Sequence, residues 1–284
     1  MSIGSENLFQ NIVIGGIAGG FSRSITAPLE MTKIMQQNYP NTFGRKSIIS
    51  IIKKTYNTNG LRSLFKGNLS NCIRIIPQNA IQLAAYNYSS KFYNEYSPET
   101  KNRNAFLSGA TAGILSYTAI YPLETIRSKM TVNIDSSNNA YNSIFSTLRS
   151  TYRSAGLRSL YRGWQVSVLG MIPYQGITFM TYRYLRENYN PNKDAFLNVI
   201  NGSIAGICAV SVTYPCDVLK RKYHLSGEMG NKQYKNYADI IRTTYSNSGI
   251  SGFYRGIASC YIKMVPSSAL FFLTVELCNK YIKE

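Results

Sequence analysis

Long stretches without a formal charge alternate with polar segments along this chain. Three of them are fully uncharged over twenty to twenty-two residues, at 104–123, 163–182 and 195–216. Three more carry one or two basic residues each and lie near 8–27, 72–90 and 256–280. A helix that crosses a bilayer needs about 20 largely apolar residues. The pattern therefore predicts six membrane-spanning helices, and the basic residues inside them predict a water-filled interior.

Shorter segments between these spans mix polar and apolar residues at helical spacing. They cover residues 44–57, 141–154 and 234–248. Amphipathic segments of this kind are typical of helices that lie along a membrane surface. Each third of the chain therefore predicts a long helix, a loop, a short surface helix and a second long helix.

One pattern recurs three times, at intervals of about 95 residues. Each copy begins with a glycine in a small-xxx-small step, followed by a proline that starts the sequence Pro-x-Asp/Glu-x-x-Lys/Arg. Further along the copy, a second glycine is followed ten residues later by a second proline. The first prolines are Pro28, Pro122 and Pro215, and the second are Pro77, Pro173 and Pro266. Small-xxx-small steps let helices approach closely in lipid. The repeats are assigned to residues 7–97, 102–190 and 194–282.

This triplicate motif resembles the mitochondrial carrier family, over nearly the whole chain from about Phe9 to Tyr281. The resemblance implies an all-α membrane protein with six transmembrane helices in three pseudo-threefold repeats and short surface helices on the matrix side. It implies a multi-pass protein in the inner membrane of a mitochondrion or a mitochondrion-derived organelle. Both termini would lie on the intermembrane-space side, and a monomer would work by alternating access to one central site.

An acidic and a basic residue stand three apart after the first proline of each repeat. A single such motif would be an intrahelical pair worth about 0.2–0.5 kcal/mol. Three of them at a symmetric bend predict a ring of ion pairs between repeats: Glu30–Arg127, Glu124–Lys220 and Asp217–Lys33. The resemblance implies that this ring is the matrix gate.

The resemblance also implies that Gln37 braces one pair of the ring. Thr131 and His224 occupy the equivalent positions in the other repeats. One brace is therefore expected, and His224 is interpreted as an ordinary helix residue.

The opposite, cytoplasmic gate has few charges that can pair. Members of the family carry an acid-x-x-base pattern ten residues after the second proline. The corresponding positions here are Asn87 and Ser90, Arg183 and Arg186, and Glu276 and Asn279. Only Arg186 and Glu276 can pair between neighbouring repeats, so a low barrier is predicted on this side.

Gly67, Gly163 and Gly256 each follow an aromatic and a basic residue where the second long helix of a repeat begins. Free backbone N–H groups at a helix N-terminus bind phosphate well. The resemblance implies that these turns bind the cardiolipin headgroup, while a tight turn that requires glycine explains them equally well.

Three basic residues inside the spans are candidates for solute binding. Arg74 and Lys263 lie three residues before the second proline, where the second repeat has Gly170. Broken symmetry indicates solute contact because the solute is itself asymmetric. Arg23 is a third cation, without an evident acidic partner. We expect these unpaired cations to bind a multiply charged anion such as a phosphate chain.

These positions match the basic residues that ADP/ATP carriers use for nucleotide phosphates. Gly176 and Ile177 resemble the apolar slot for adenine in nucleotide carriers, although helix packing explains that pair equally well. The Arg-Arg-Arg-Met-Met-Met signature of ADP/ATP carriers is replaced by residues 220–225, which keep three cations but no methionine. An adenine nucleotide antiporter is therefore predicted, with an ATP-Mg/phosphate or coenzyme A carrier as alternatives.

Composition narrows the remaining function classes. The chain carries 31 Lys+Arg against 13 Asp+Glu, a net charge of +18, yet no basic run stands clear of the apolar spans, which argues against a nucleic acid partner. Five cysteines without a CxxC pair and a single histidine argue against a metal site. An enzyme is disfavoured because no P-loop or Gly-x-Ser-x-Gly motif is present, and no cofactor is expected. A carrier-shaped scaffold or a proton-leak protein is the other alternative.

Overall fold

The computed structural model describes residues 5–43, 46–97, 100–133, 141–189, 195–227 and 233–283. All regular elements in these ranges are helical. Repeat 1 contains α1 (Ser5–Ile25), α2 (Ala27–Asn38), α3 (Pro40–Phe43), α4 (Ile48–Asn59), a 3-10 turn (Leu61–Phe65), α5 (Asn68–Ile73) and α6 (Ile75–Tyr96). Repeat 2 contains α7 (Lys101–Val132), α8 (Ile144–Ala155), α9 (Leu157–Leu160) and α10 (Trp164–Tyr189). Repeat 3 contains α11 (Ala195–His224), α12 (Tyr237–Ser248), a 3-10 turn (Ile250–Tyr254) and α13 (Ile257–Lys283).

The six membrane-spanning segments are α1–α2, α5–α6, α7, α10, α11 and α13. By length and composition alone, only two described stretches, 200–224 and 250–280, are apolar enough to qualify as spans. The other segments carry more polar and charged side chains, and these residues lower their average hydropathy. The six spans are therefore recognised from the threefold repeat rather than from hydropathy.

The first proline of each repeat is accommodated in two ways. In repeat 1 the helix is interrupted at Thr26, whose ψ of 2° departs from helical geometry, and α2 restarts with Pro28 in its first turn. Proline has no backbone N–H to donate to the preceding turn, which weakens the helix there. In α7 and α11 the helix continues through Pro122 and Pro215.

The predicted short helix between the long helices is present in every repeat. Each begins with a polar N-cap: the side chain of Ser47, Ser143 or Asn236 accepts a hydrogen bond from the backbone N–H three residues later. Each ends at a glycine with positive φ, namely Gly60, Gly156 and Gly249. The same local signals in three copies thus specify the same local structure.

The long helices close into a ring through two kinds of contact. The second helix of each repeat packs against the first helix of the next, as α6 against α7, α10 against α11, and α13 against α1. Within a repeat, the small-xxx-small glycine faces the residue two before the second proline. A Cβ on Gly19 would lie 3.2 Å from Ile75, and one on Gly206 would lie 2.5 Å from Met264. Glycine at these positions lets the two helices approach closely without displacing these side chains.

Candidate functional site

A cluster of ion pairs joins the three repeats just after their first prolines. Lys33 Nζ lies 2.7 Å from Asp217 Oδ2. Arg127 Nη2 lies 3.3 Å from Glu30 Oε1, and Lys220 Nζ lies 3.7 Å from Glu124 Oε1. These are the three inter-repeat pairs expected from the spacing of the charges. Because the pairs connect α2, α7 and α11 across the axis, they close one end of the helix ring.

Pairs within a helix coexist with this ring in two of the three helices. Arg127 lies 3.9 Å from Glu124, and Lys220 lies 3.5 Å from Asp217. Glu30 and Lys33, both of which the structure describes, form no pair with each other. The charges therefore serve contacts between repeats more than they stabilise single helices.

Arg74 and Lys263 were expected to be unpaired, and this expectation is wrong because both form ion pairs. Arg74 Nη1 forms a short ion pair with Glu124 Oε2. Lys263 Nζ lies 2.5 Å from Glu30 Oε2. Each acid has two oxygens, so it holds a gate base on one side and a candidate binding cation on the other. The sequence showed the cations without showing that α5 and α13 bring them to the acids of the ring.

Arg221 is a member of the cluster that sequence reasoning missed. Its Nη2 lies 2.9 Å from Glu124 Oε1 and 3.7 Å from Glu30 Oε1, so it bridges two repeats. Its side chain is almost fully buried. The equivalent residues are Ile34 and Ser128. This is the same broken symmetry that singled out Arg74, and it could have identified Arg221.

The cluster carries an excess of positive charge. Its three acids are Glu30, Glu124 and Asp217, and its six bases are Lys33, Arg74, Arg127, Lys220, Arg221 and Lys263. Three positive charges are therefore left without a counterion inside the ring. Such an excess in a partly desolvated site favours an anionic ligand.

Arg23 adds to this excess. Its Nη1 donates to the backbone oxygen of Asn71 at 3.4 Å and to Asn71 Oδ1 at 3.3 Å. No carboxylate of the described residues lies within ion-pairing distance of it. Arg23 thus stands beside the cluster as a half-buried cation held by a neutral amide.

Two braces, rather than one, connect the repeats beneath the ion pairs. Gln37 Nε2 donates to the hydroxyl of Tyr214 at 3.1 Å, and the ring of Tyr214 lies under Lys33 Nζ. His224 Nε2 lies 2.8 Å from the hydroxyl of Tyr121. The interpretation of His224 as an ordinary helix residue is therefore wrong, since it is fully buried and bridges α7 and α11.

Each of the two braces requires a tyrosine at the position before the first proline of a repeat, because its hydroxyl is one partner of the hydrogen bond. Tyr121 and Tyr214 occupy this position in repeats 2 and 3, whereas repeat 1 has Ala27. The third possible partner, Thr131, instead donates to backbone oxygens of Arg127 and Lys66.

A cavity of about 200 Å³ opens beside the cluster between α7, α10 and α11. Aromatic, small and polar side chains line it: Tyr117, Ser167, Gly170, Met171, Tyr174, Val210, Thr213, Tyr214, Cys216, Asp217 and Lys220. Gly176 and Ile177 do not line this cavity, and Gly176 is exposed. The glycine that does line it is Gly170, at the position equivalent to Arg74 and Lys263. A side chain on Gly170 would meet Cys216 at 3.0 Å.

The opposite end of the ring has no corresponding set of ion pairs between repeats in the described helices. Arg186 and Glu276 are both exposed and make no ion pair with each other, although both lie in the described helices. Arg183 pairs with Glu187 of its own helix at 2.8 Å. Asn87 and Asn279 belong to α6 and α13, and in the described part of the chain neither forms a hydrogen bond to another repeat. The expected Arg186–Glu276 pair is therefore absent from a conformation in which the other end is closed.

The glycines at the start of the second long helices are packing positions. Gly67, Gly163 and Gly256 all have positive φ, which L side chains rarely adopt. A Cβ on Gly67 would lie 2.6 Å from Thr131 Oγ1, and one on Gly163 would lie 2.9 Å from the hydroxyl of Tyr121. The tight-turn interpretation thus has a structural basis, and a lipid headgroup at these turns stays a prediction.

The basic residues before two of these glycines bind the end of a helix in the next repeat. Lys66 Nζ donates to the backbone oxygen of Asn133 at 2.5 Å, and Arg162 Nη1 donates to that of Ser226 at 3.2 Å. Both oxygens follow the last turn of a long helix, where carbonyls lack helical partners and cations are favoured. These bonds tie the closed end together outside the ion-pair cluster.

Comparison with known proteins agrees with this architecture. Residues 4–97, 99–193 and 191–284 each match the family described as "Mitochondrial carrier protein". A mitochondrial adenine nucleotide transporter of Arabidopsis thaliana is 34% identical over 96% of this chain and 86% of its own length. A mitochondrial coenzyme A transporter of Xenopus laevis is 30% identical over 98% of this chain and 87% of its own length. A human mitochondrial adenyl nucleotide antiporter is 28% identical over 96% of this chain and 58% of its own length.

Proposed function

This chain belongs to the mitochondrial carrier family, and from that premise we propose that it is an antiporter that exchanges adenine nucleotides, ADP and ATP, by alternating access. Members of this family are transporters rather than enzymes. The proposal places the chain in the inner membrane of a mitochondrion or a mitochondrion-derived organelle, with both termini on the intermembrane-space side. It acts as a monomer, with cardiolipin at the three glycine turns.

The observation that carries the proposal is the charge of the cluster. Six bases face three acids, and Arg23 adds a further positive charge beside them. A phosphate chain supplies several negative charges and many acceptor oxygens in a small volume. An adenine nucleotide therefore matches the excess better than a singly charged solute does.

Opening of the gate follows from the shared acids. Arg74 and Lys263 bind Glu124 and Glu30 in the closed ring. When a phosphate chain arrives, these two cations turn towards it, because it offers more acceptor oxygens than one carboxylate. Each acid then loses one of its cations, and the ring weakens. Binding energy from the solute is in this way used to open the passage, as alternating access requires.

The cavity beside the cluster is the proposed site of the base. At about 200 Å³ it is smaller than the roughly 300–1,000 Å³ of sites that enclose a drug-sized ligand. It is therefore suited to one end of a nucleotide, with the phosphates outside it near the cations. Tyr117 and Tyr174 provide aromatic faces, and Gly170 leaves a flat wall.

Coenzyme A is the second candidate substrate. The relative from Xenopus laevis is named a coenzyme A transporter, and its identity to this chain is similar to that of the plant nucleotide transporter. Coenzyme A also contains an adenine and a phosphate chain, so the same cations and cavity would bind part of it.

Exchange in liposomes tests the proposal. Purified protein is reconstituted with internal ADP, and uptake of labelled ADP, ATP, phosphate, coenzyme A and a dicarboxylate is measured. We expect uptake of ADP and ATP that stops when the internal nucleotide is omitted. Faster exchange of coenzyme A would favour the second candidate. Proton entry without solute exchange, or no flux at all, would instead support the leak or scaffold alternative.

A further inference from the structure

One amide oxygen joins two of the cations described above. Asn71 Oδ1 lies 3.3 Å from Arg23 Nη1 and 3.4 Å from Arg74 Nη2. The backbone oxygen of Asn71 accepts a further bond from Arg23. Asn71 is buried in α5, so its side chain has little access to water. Two guanidinium groups from α1 and from the junction of α5 and α6 are thereby held at a single point.

The chemistry of the amide explains why the position holds asparagine. An amide oxygen has two lone pairs and can accept two donors, yet it carries no net charge. A carboxylate at this place would hold both guanidinium groups and also neutralise part of their charge. Asn71 therefore keeps two like charges close together while leaving their attraction for an anion intact.

The arrangement exists in the first repeat only. The residues equivalent to Asn71 are Ser167 and Cys260. The second repeat has Gly170 where the first has Arg74, and the third has Val210 where the first has Arg23. The paired guanidinium groups are thus a specific feature of one side of the passage.

We propose that Asn71 is a positioning residue that holds Arg23 and Arg74 as a paired site for two neighbouring phosphates of an oligophosphate. The inference rests on the proposed function and adds the feature by which the site distinguishes a phosphate chain from a single phosphate, namely two guanidinium groups held side by side. Arg74 also holds Glu124 of the gate, so the contacts run from Arg23 through Asn71 and Arg74 to Glu124. A second phosphate on Arg23 fixes the first on Arg74, and this draws Arg74 away from the gate acid.

The test compares Asn71→Leu with a matched control, Asn68→Leu. Asn68 lies one turn earlier in α5 and also links it to α1, through a 2.9 Å bond to Ser24, but it contacts neither arginine. Leucine has a similar size and cannot accept a hydrogen bond. Asn71→Ser keeps a short acceptor and serves as the conservative variant.

Exchange kinetics in liposomes are measured for ADP and AMP. Loss of one charge-assisted contact corresponds to roughly tenfold or more in binding, so we expect Asn71→Leu to raise the KM for ADP about tenfold and that for AMP much less. The maximal rate changes little, Asn71→Ser recovers part of the loss, and Asn68→Leu shows no preference between the two nucleotides. Equal losses for ADP and AMP, or the same loss in Asn68→Leu, would overturn the inference.

A binding measurement separates this inference from the proposed function. Inorganic tripolyphosphate and phosphate are titrated into the detergent-solubilised protein, and the rise in Tm is recorded. We expect tripolyphosphate to stabilise the wild type at lower concentration than phosphate does, and Asn71→Leu to remove that difference. If the wild type discriminates and the variant does not, the paired site stands even where nucleotide exchange fails. If both proteins respond alike, the paired site is rejected while nucleotide exchange can still hold.

Discussion

At the scale of single residues, the acids of the cluster differ in how many cations they hold. Glu30 pairs with Arg127, Lys263 and Arg221. Glu124 is similarly surrounded, whereas among the described residues Asp217 pairs only with Lys33 and Lys220, and its side chain is partly exposed. Removing one partner of a buried pair costs about 3–5 kcal/mol because a charge is left uncompensated. The same substitution will therefore have different consequences at different points of the ring.

Charge reversal makes this difference measurable. Lys33→Asp combined with Asp217→Lys restores a pair whose new lysine lies beside Lys220, at the most exposed of the three acid positions. Glu30→Arg combined with Arg127→Glu places an arginine beside Lys263 and Arg221. We expect the first double variant to retain several-fold more nucleotide exchange than the second. Similar activity of the two double variants, at matched expression, would contradict the unequal surroundings of the acids.

Gly67→Ala tests the packing at a turn. Gly67 has a φ of 78° and a ψ of −7°, so alanine costs about 1–2 kcal/mol of backbone strain there. A Cβ on Gly67 would in addition meet Thr131 Oγ1 at 2.6 Å. We expect Gly67→Ala to lower Tm, and to lower it less in a Thr131→Ala background, where that oxygen is absent. Equal losses in the two backgrounds would mean that the contact with Thr131 does not matter at this position.

At the scale of elements, contacts between helix ends hold the closed side together. Lys66 and Arg162 bind the ends of α7 and α11, and the Tyr121–His224 and Tyr214–Gln37 bonds lie nearby. All of these contacts connect different repeats or the turns between them. They must break when the closed end opens, so they add to the barrier that solute binding has to overcome.

The His224 brace can be tested with the residue that repeat 1 uses at the same position. His224→Gln keeps a group that can bond the hydroxyl of Tyr121, as Gln37 does with Tyr214. His224→Leu leaves that hydroxyl without this partner, and losing such a buried contact costs about 1–3 kcal/mol. We expect Tm to fall for His224→Leu and to be largely kept for His224→Gln. In the Tyr121→Phe background the two variants should differ much less, and an undiminished difference would rule out the brace.

At the scale of the whole molecule, ion pairs join the repeats at one end of the ring, and the expected pair at the other end is absent. Arg186 and Glu276 are exposed and unpaired with each other here, while Lys33 and Asp217 are paired. Alternating access requires that the two ends do not open at once. The pair of Arg186 and Glu276 is therefore expected to form when the end closed by Lys33 and Asp217 opens.

Neutralisation separates the two ends. We expect Arg186→Ala to leave Tm nearly unchanged, within the about 0.5 kcal/mol typical of exposed sites, but to slow exchange by removing the predicted pair. Lys33→Ala should lower both Tm and exchange, because it breaks a pair that exists in this conformation. Thermal unfolding in detergent and exchange in liposomes are measured for both. A large Tm loss in Arg186→Ala would argue against a contact specific to the other conformation.

Much of the architecture could be predicted from local signals. The prolines, glycine steps and N-caps act within one or two turns, so their triplicate spacing predicted helices, turns and the inter-repeat order of the gate charges. The contacts of Arg221 and His224 were not predicted, because their partners lie in other repeats. Arg221 pairs with Glu30 and Glu124, and His224 contacts Ser128 and Tyr121. The role of Gly176 and Ile177 in binding adenine stays a prediction, because how α10 faces α7 and α11 decides which of its residues reach the cavity.

The sequence by itself determined that this protein is a threefold helical membrane protein with surplus cations in its spans, since the repeat and the placement of charges within apolar stretches are visible along the chain. Only the tertiary structure decided that Arg74 and Lys263 are held by Glu124 and Glu30, and that Asn71 joins Arg23 to Arg74. The reason is that a charge interacts with whatever the fold brings within a few ångströms. Arg74 and Glu124 are 50 residues apart along the chain, Lys263 and Glu30 are 233 apart, and Asn71 is 48 residues from Arg23 and 3 from Arg74.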